Sequence, residues 1–181
     1  MGDSSELVVL LAEDGTPVGT ADKATVHTDD THLHLAFSCH VFNRDGQILV
    51  TRRALEKKTW PGVWTNSFCG HPGPGEDFID AIHRRAEQEL GLKLSSVKSA
   101  LPDFRYRAVD ASGIVENEIC PVYIAIVDDE PEPNPSEVAE YAWADPSGLL
   151  AAVEKSAFAF SPWLTLQLPR LAVAGYLSPA G

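Results

Sequence analysis

The sequence contains no long apolar segment and relatively few positive charges, and each shortage excludes a class of protein. The apolar run Leu7–Leu11 is too short for a signal peptide or a membrane-spanning helix. Lysine and arginine together number 14 against 26 aspartates and glutamates, which gives a formal net charge of −12. A protein with this balance is poorly suited to bind nucleic acid or an anionic membrane surface. We therefore expect neither a nucleic-acid partner nor a membrane partner.

Cysteine is scarce as well, and the chain has the size of one domain. Cys39, Cys69 and Cys120 are odd in number and far apart, which is not the pattern of a disulfide framework. Together with the missing signal peptide, this favours a cytoplasmic protein with free thiols. The 181 residues, 44% of them apolar, are enough for one hydrophobic core. We expect a single domain over residues 1–181, and a monomer.

Strand-like and helix-like patterns alternate along the chain and predict a mixed α/β fold. Strands are expected over residues 7–12, 16–20, 33–42, 47–53, 103–109, 114–127 and 138–144, and helices over 78–90, 147–155 and 162–173. Within the long strand over 114–127, Glu116, Glu118 and Cys120 fall on one face. Residues 128–136 are acidic and rich in proline, and predict a loop of no further interest.

The stretch from Trp60 to Leu92 concentrates the residues that carry chemistry. Its first half is expected to be a loop without regular strands, because prolines and glycines recur through it. Its second half is expected to be a helix, with Asp77 as N-cap and Gly91 at the C-terminal stop. At about 100° per residue, one apolar stripe on this helix contains Phe78, Ile79, Ile82, Ala86 and Leu90.

Glu89 lies within that stripe and Arg85 borders it. A carboxylate on a buried helix face is costly unless a cation or a metal ion compensates its charge. The alternative is an ordinary ion pair between Glu89 and Arg85 on a partly wet face.

Five further residues are candidate metal ligands: His27, His34, His71, Glu116 and Glu118. Imidazoles mixed with carboxylates suit Mn²⁺, Zn²⁺ or Fe²⁺, whereas an all-oxygen site at Glu89 suits Mg²⁺. Spacing alone does not group these residues. A lone histidine is more often a surface or core residue, which is the interpretation we keep for His32, His40 and His83. Glu116 could likewise be an exposed strand end.

Cys69 is expected to be a nucleophile, a general acid or an inert loop thiol, and Trp163 either a core residue or a π face for a cation. The nearby His71 and basic residues are expected to lower the pKa of the Cys69 thiol. Eight basic residues predict a pocket for a small polyanion, and the alternative is that they are solvated surface charges. They are Arg52, Arg53, Lys57, Lys58, Arg84, Arg85, Arg105 and Arg107.

The spacing of Gly70, Glu76, Arg84, Ala86, Glu89, Gly91 and Leu92 resembles the Nudix box. That family folds as an α/β/α sandwich and uses the glutamates of a loop–helix–loop to bind divalent metals on a diphosphate. Arg85 and Gln88 stand where the hydrolases carry glutamates. The resemblance therefore implies the fold but puts diphosphate hydrolysis in doubt.

Longer motifs, W-P-G-V-W-T-N-S-F-C-G-H-P, D-F-R-Y-R-A, G-I-V-E-N-E-I-C-P-V and F-S-P-W, resemble the type I isopentenyl diphosphate isomerases. The resemblance implies interconversion of isopentenyl and dimethylallyl diphosphate, with Cys69, Glu118 and Tyr106 as catalytic residues. It implies Mn²⁺ or Zn²⁺ bound by His27, His34, His71, Glu116 and Glu118, and Mg²⁺ held on the substrate by Glu89. It also implies substrate contacts from Lys23, Arg53, Lys57, Arg85 and Trp163.

Two alternatives to an isomerase stay open. One is a Nudix diphosphate hydrolase, which shares the fold and differs in reaction class. The other is a non-catalytic binding module that a bound metal stabilises, in which Cys69 and Glu118 could be replaced without loss of any activity.

Overall fold

A computed structural model describes residues 6–177. The strands are β1 (Leu7–Leu11), β2 (Pro17–Asp22), β3 (His34–Leu35), β4 (Phe37–Phe42), β5 (Ile48–Arg53), β6 (Trp64–Thr65), β7 (Phe68–Gly70), β8 (Ser96–Leu101), β9 (Arg105–Val109), β10 (Val115–Ile119), β11 (Val122–Ile126) and β12 (Val138–Ala144). The helices are α1 (Phe78–Leu90), α2 (Pro146–Lys155) and α3 (Pro162–Val173), with a short 3-10 helix at Ala157–Ala159. None of the described helices is long and apolar enough to cross a membrane.

The described strands form two mixed sheets. The smaller sheet has the order β2-β1-β3-β10-β9. The larger follows β12-β5-β4-β11-β8, with β6 added beside β5 and β7 beside β4. In the smaller sheet β10 runs parallel to β3, and in the larger sheet β11 runs parallel to β4. The same two chain segments therefore cross together from one sheet into the other.

Helices cover both faces of the larger sheet. On one face α1 presents Ala81, Ile82, Ala86 and Leu90, all fully buried, to a core that includes Phe37. On the other face α2 and α3 pack with Leu149, Val153, Leu164 and Leu168 against Ile48 and Val50. This layering is the predicted α/β/α sandwich, and burial on both sides explains why β11 is apolar almost throughout.

The caps of α1 are confirmed, whereas one residue of its predicted stripe is wrong. Asp77 accepts a hydrogen bond from the Ile79 amide, and Gly91 closes the helix with a positive φ of 62°. Ile79 itself is 38% exposed, and Ala81 occupies the core position instead. In the first turn the stripe is narrower than the periodicity alone predicts.

Two strands predicted as continuous are each divided. Residues 33–42 separate into β3 and β4 around Ala36, and residues 114–127 separate into β10 and β11 around Cys120 and Pro121. Pro121 has no amide hydrogen to give to a ladder, so the chain changes sheet there. Glu116 and Glu118 consequently belong to the smaller sheet, while Val122 lies in the larger one.

The loop before α1 contains two short strands that the sequence did not predict. The prolines and glycines flank these strands or stand at their ends, so β6 and β7 can still pair with β5 and β4. The edge strand β8 was missed because its sequence, Ser96–Leu101, is too polar to stand out.

The acidic loop over residues 128–136 has a structural role that the sequence did not indicate. The amides of Glu132 and Asn134 donate to the carbonyls of Leu90 and Glu89, at 2.8 Å each. These bonds satisfy carbonyls that the end of a helix leaves free. They also bring Glu137, the residue just before β12, toward α1.

Candidate active site

A cavity of about 320 Å³ opens near the line where the two sheets meet. Every residue that the isomerase resemblance assigned to the site lines it except His34, which is completely buried and reaches Glu118 from behind. Three groups of side chains occupy different parts of the wall. They are an imidazole–carboxylate cluster, the Cys69 thiol with its neighbours, and a mixed group of basic and acidic residues beside α1.

The imidazole–carboxylate cluster joins four separate segments of the chain. The possible ligand atoms of His27, His34, His71 and Glu118 all lie within 4.8 Å of one another. Glu118 Oε1 is 3.3 Å from His34 Nε2 and 3.1 Å from His71 Nε2. Glu116 Oε2 lies 2.9 Å from His27 Nε2, and Glu116 is buried rather than an exposed strand end.

These residues fit a divalent cation on the structure's own evidence. The Nδ1 of His34 donates to the carbonyl of His32 at 2.9 Å, so the lone pair of a neutral His34 faces the Glu118 carboxylate. Within residues 6–177, His27 Nε2, His34 Nε2 and Glu116 Oε2 are buried without hydrogen-bond partners. Several acceptors pointing at one space are costly unless a cation satisfies them.

Glu118 is held in its charged form. Burial opposes ionisation, but the His34 and His71 rings, which without a metal can hold a proton toward the carboxylate, outweigh it and keep the pKa of Glu118 well below its usual range. Its second oxygen, Oε2, accepts a hydrogen bond from the Tyr106 hydroxyl at 3.0 Å. Tyr106 lies directly opposite Glu118 across the β9–β10 ladder. Burial raises the pKa of Tyr106 well above its normal value, so this group is a neutral donor.

Cys69 lies on β7, in register with Ser38 of β4. Its sulfur is 3.3 Å from Asn66 Oδ1 and 3.3 Å from Ser38 Oγ. The expectation of a lowered thiol pKa is wrong. Burial raises the pKa of Cys69 to about 12, and the negative charge of Glu118 acts in the same direction. The basic side chains do not reverse this, because carboxylates pair with several of them at the other end of the cavity.

Beside α1 the cavity wall carries both signs of charge. Arg85 Nη2 is 3.0 Å from Glu89 Oε1, so the ordinary i,i+4 pair does exist, although its face is buried rather than partly wet. Glu137 contacts the Lys57 ammonium and lies 3.7 Å from Arg85. Burial raises the pKa of Glu89 to about 7, with Arg85 opposing and Glu137 adding to the shift. Glu137 does not stand out in the sequence, because it directly follows an acidic loop.

The predicted basic cluster is divided between the cavity and the outer surface. Lys23, Arg53, Lys57, Lys58 and Arg85 line the cavity. Outside it, Arg84 pairs with Glu76, Arg105 with Glu13 and Arg52 with Glu140, and Arg107 is exposed. The predicted polyanion pocket would therefore draw on only part of the cluster, and the alternative of solvated charges holds for Arg105 and Arg107.

Trp163 combines the two roles considered for it. It is 3% exposed, yet it forms part of the cavity wall. Its ring lies edge-on to Trp60 at 5.4 Å and next to Tyr106 at 5.8 Å, and the Arg53 guanidinium stands 5.3 Å from its centre. The remaining histidines behave as expected, since His40 is buried in the core while His32 and His83 are exposed.

Comparison with known sequences gives consistent matches over most of the chain. A Nudix domain profile matches residues 32–164. The isopentenyl-diphosphate Delta-isomerase of Clavibacter sepedonicus is 67% identical over 171 residues, covering 94% of this chain and 90% of the relative. The protein of the same name from Leifsonia xyli subsp. xyli is 64% identical over 178 residues, covering 97% and 96%.

Solved structures agree on the fold. A crystal structure of a Deinococcus radiodurans protein has a TM-score of 0.72 at 21% identity, covering 91% of this chain and 98% of that one. The MutT protein of Methanosarcina mazei Go1 has a TM-score of 0.63 at 16% identity, covering 79% and 95%. Together with the sequence matches, these likenesses show that the chain belongs to the Nudix superfamily and, within it, to the isopentenyl-diphosphate Delta-isomerases.

Proposed function

We propose that this protein interconverts isopentenyl and dimethylallyl diphosphate by adding a proton to one carbon and removing one from another. The observation that carries the proposal is that a neutral thiol, Cys69, and an ionised carboxylate, Glu118, line one cavity from two different sheets. Moving an unactivated double bond requires a proton donor and a proton acceptor that act on different carbons. The names of the relatives support this reaction over diphosphate hydrolysis.

In the forward direction the Cys69 S–H gives its proton to the terminal alkene carbon, and a tertiary cation forms. Glu118 then takes a proton from the neighbouring methylene, and the double bond forms at its new position. Tyr106 donates to the second oxygen of Glu118, which orients the carboxylate during the transfer. Each turnover leaves a thiolate and a protonated carboxyl group, so before the next one Glu118 releases a proton to solvent and Cys69 takes one up from solvent.

The cation is stabilised by aromatic faces rather than by a nucleophile. Trp163 and Tyr106 are neighbours in the wall, and a π face attracts positive charge without forming a bond to it. Their hydrocarbon surface also excludes water, which would otherwise capture the cation.

The basic end of the cavity binds the diphosphate. Lys23, Arg53, Lys57 and Arg85 supply positive charge there, and Glu89 supplies an oxygen ligand for a Mg²⁺ ion on the phosphates. Arg85 and Gln88 replace two glutamates of the hydrolases, so the chain lacks carboxylates that hydrolysis uses. The diphosphate is then an anchor and stays intact.

The imidazole–carboxylate cluster suits Mn²⁺ or Zn²⁺, held by His27, His34, His71, Glu116 and Glu118. A bound divalent ion supplies positive charge that keeps Glu118 ionised in a buried place. His34 fixes the cluster from the protein side, because its donation to His32 sets which nitrogen is free.

We also propose that the chain acts as a single-domain monomer in the cytoplasm. One chain supplies all the residues assigned to the site, so no second copy is needed to complete it. The three cysteines are free thiols in the part of the chain that the structure describes, which suits a reducing compartment.

The test of the function is incorporation of solvent hydrogen. Purified protein is incubated with Mg²⁺, Mn²⁺ and isopentenyl diphosphate in D₂O, and the products are examined by mass spectrometry and NMR. We expect dimethylallyl diphosphate that carries deuterium. Release of phosphate without isomerisation would indicate a hydrolase, and unchanged substrate would indicate a binding module.

Removing divalent metal is expected to destabilise the protein as well as to stop turnover. A metal bound at about 100 times its dissociation constant adds roughly 2.7 kcal/mol to the free energy of unfolding. For a chain of this size this corresponds to a melting temperature about 5–10 °C higher. Calorimetry before and after chelation and dialysis measures the shift, and Mn²⁺ or Zn²⁺ should restore it. An unchanged melting temperature together with unchanged turnover would rule out the metal site.

Glu89→Gln is expected to weaken substrate binding more than it weakens the fold. The substitution removes an oxygen ligand and a charge from the diphosphate end, so KM should rise about tenfold or more and the Mg²⁺ requirement should increase. Glu87→Gln is the matched control, because Glu87 is exposed on the same helix. Steady-state kinetics at several Mg²⁺ concentrations measure the effect. Wild-type kinetics for Glu89→Gln would leave Glu89 only its ion pair with Arg85.

A further inference from the structure

A chain of buried polar side chains runs from helix α3 to the Cys69 sulfur. Gln167 Nε2 donates to Ser38 Oγ at 2.9 Å, and Gln167 Oε1 lies 2.9 Å from His40 Nε2. Ser38 Oγ in turn lies 3.3 Å from the sulfur of Cys69. Ser38, His40 and Gln167 have no exposed surface at all.

These polar residues stand where the fold alone would favour apolar ones. Ser38 and His40 lie on β4, whose two faces are both covered by helices. A buried polar group lowers stability unless all its hydrogen bonds are made, and apolar residues of similar size would serve the packing as well. A polar chain that ends at Cys69 therefore indicates a role at that thiol.

The orientation of the Asn66 amide is fixed by its other partners. Its nitrogen donates to the carbonyls of Cys39 at 3.0 Å and Phe68 at 2.8 Å. Its oxygen accepts from the indole N–H of Trp163 at 3.0 Å, and an indole nitrogen can only donate. Because the oxygen faces Cys69 at 3.3 Å, the thiol must be the donor in that contact.

The hydrogen bonds of Ser38 can be assigned in the same way. Burial lowers the pKa of His40 to about 4, so the ring is neutral. His40 Nδ1 has no partner among the described residues, so its hydrogen belongs on Nε2 and donates to Gln167 Oε1. Ser38 Oγ accepts from Gln167. Because the Cys69 S–H points to Asn66, a hydrogen bond between Ser38 and Cys69 has the Ser38 hydroxyl as its donor. The Cys120 thiol, also 3.3 Å from Ser38 Oγ, then acts as the donor in its own contact with Ser38.

We propose that Ser38 and Asn66 are positioning residues for Cys69: Asn66 accepts the S–H hydrogen, Ser38 donates to the sulfur, and Gln167 with His40 holds Ser38 in place. Two directional contacts restrict the thiol to one rotamer at the cavity wall. A misplacement of about 1 Å at a reacting group costs up to about 100-fold in rate. The inference rests on the proposed isomerisation with Cys69 as proton donor.

The test compares two serines that are equally buried. Ser38→Ala removes the contact with the sulfur, whereas Ser67→Ala removes a hydroxyl that bonds the backbone of Leu49 and Val41. We expect kcat to fall about tenfold to 100-fold in Ser38→Ala, with KM within twofold of wild type. Ser67→Ala should keep kcat within a few-fold at a similar or greater loss in melting temperature. Equal kcat losses in both variants, or an unchanged kcat in Ser38→Ala, would overturn the proposal.

A second variant tests the support beneath Ser38. Replacing His40 and Gln167 together by leucine removes both partners of one buried hydrogen bond, which is tolerated better than removing one of them. We expect this double variant to fold and to lose kcat severalfold without a change in KM. Normal kcat in a folded double variant would remove Gln167 and His40 from the proposal. Turnover of the wild-type protein in the same assay tests the isomerisation separately.

Discussion

Glu118→Gln is expected to abolish isomerisation almost completely. Glu118 makes three contacts at once, because one of its oxygens meets His34 and His71 and the other accepts from Tyr106. A missing acid–base group alone costs about 10²–10⁴-fold in rate. The glutamine also removes a charge from the proposed metal cluster, so the loss should exceed that range, and bound metal should fall.

This prediction is tested by measuring the metal content and the rate of product formation on the same protein preparation. Glu140→Gln is a suitable control, since Glu140 is an exposed carboxylate on strand β12. It should retain wild-type metal content and rate. A Glu118→Gln protein that isomerises at more than about one tenth of the wild-type rate would rule out Glu118 as the proton acceptor.

Cys69→Ala should lower the rate by about 10²–10⁴-fold while diphosphate affinity is largely retained. The basic residues proposed to bind the phosphates lie on other segments, so removal of the thiol leaves them in place. Rates from the deuterium assay and dissociation constants from calorimetry separate the two effects. Robust turnover by the alanine variant would defeat the mechanism.

The same thiol should be the target of an epoxide analogue of the substrate. Cys39 and Cys120 are almost completely buried and serve as internal controls, whereas Cys69 is partly accessible from the cavity. Peptide mapping should find the label on Cys69. Labelling at either of the other cysteines would contradict the assignment.

Helix α1 shows which structural features can be predicted from the sequence. Both caps and the buried Glu89 were predictable, because caps and helical periodicity are local properties that neighbouring residues determine. The ion pair with Arg85 was also predictable from i,i+4 spacing. The contribution of Glu137 was not, since it reaches α1 only through the loop that binds the helix end.

The raised pKa of the Cys69 thiol shows a different limit. The sequence places His71 and several basic residues nearby, and neighbouring positive charge normally lowers the pKa of a thiol. Burial and the Glu118 carboxylate prevail in the folded protein, and both depend on where distant segments meet. Counting charges along the sequence therefore predicted the wrong direction for the pKa shift of Cys69.

By itself the sequence determined the mixed α/β class, the positions of the helices and the residue types of the site, because these depend on periodicity, caps and motifs within short segments. Only the tertiary structure decided that two apparently continuous strands change sheets, around Ala36 and Pro121. That crossing places His34 beside Glu118 in one sheet and Ser38 beside Cys69 in the other. The partners come from segments far apart in the chain, and contacts of that range are set by packing, which local patterns do not encode.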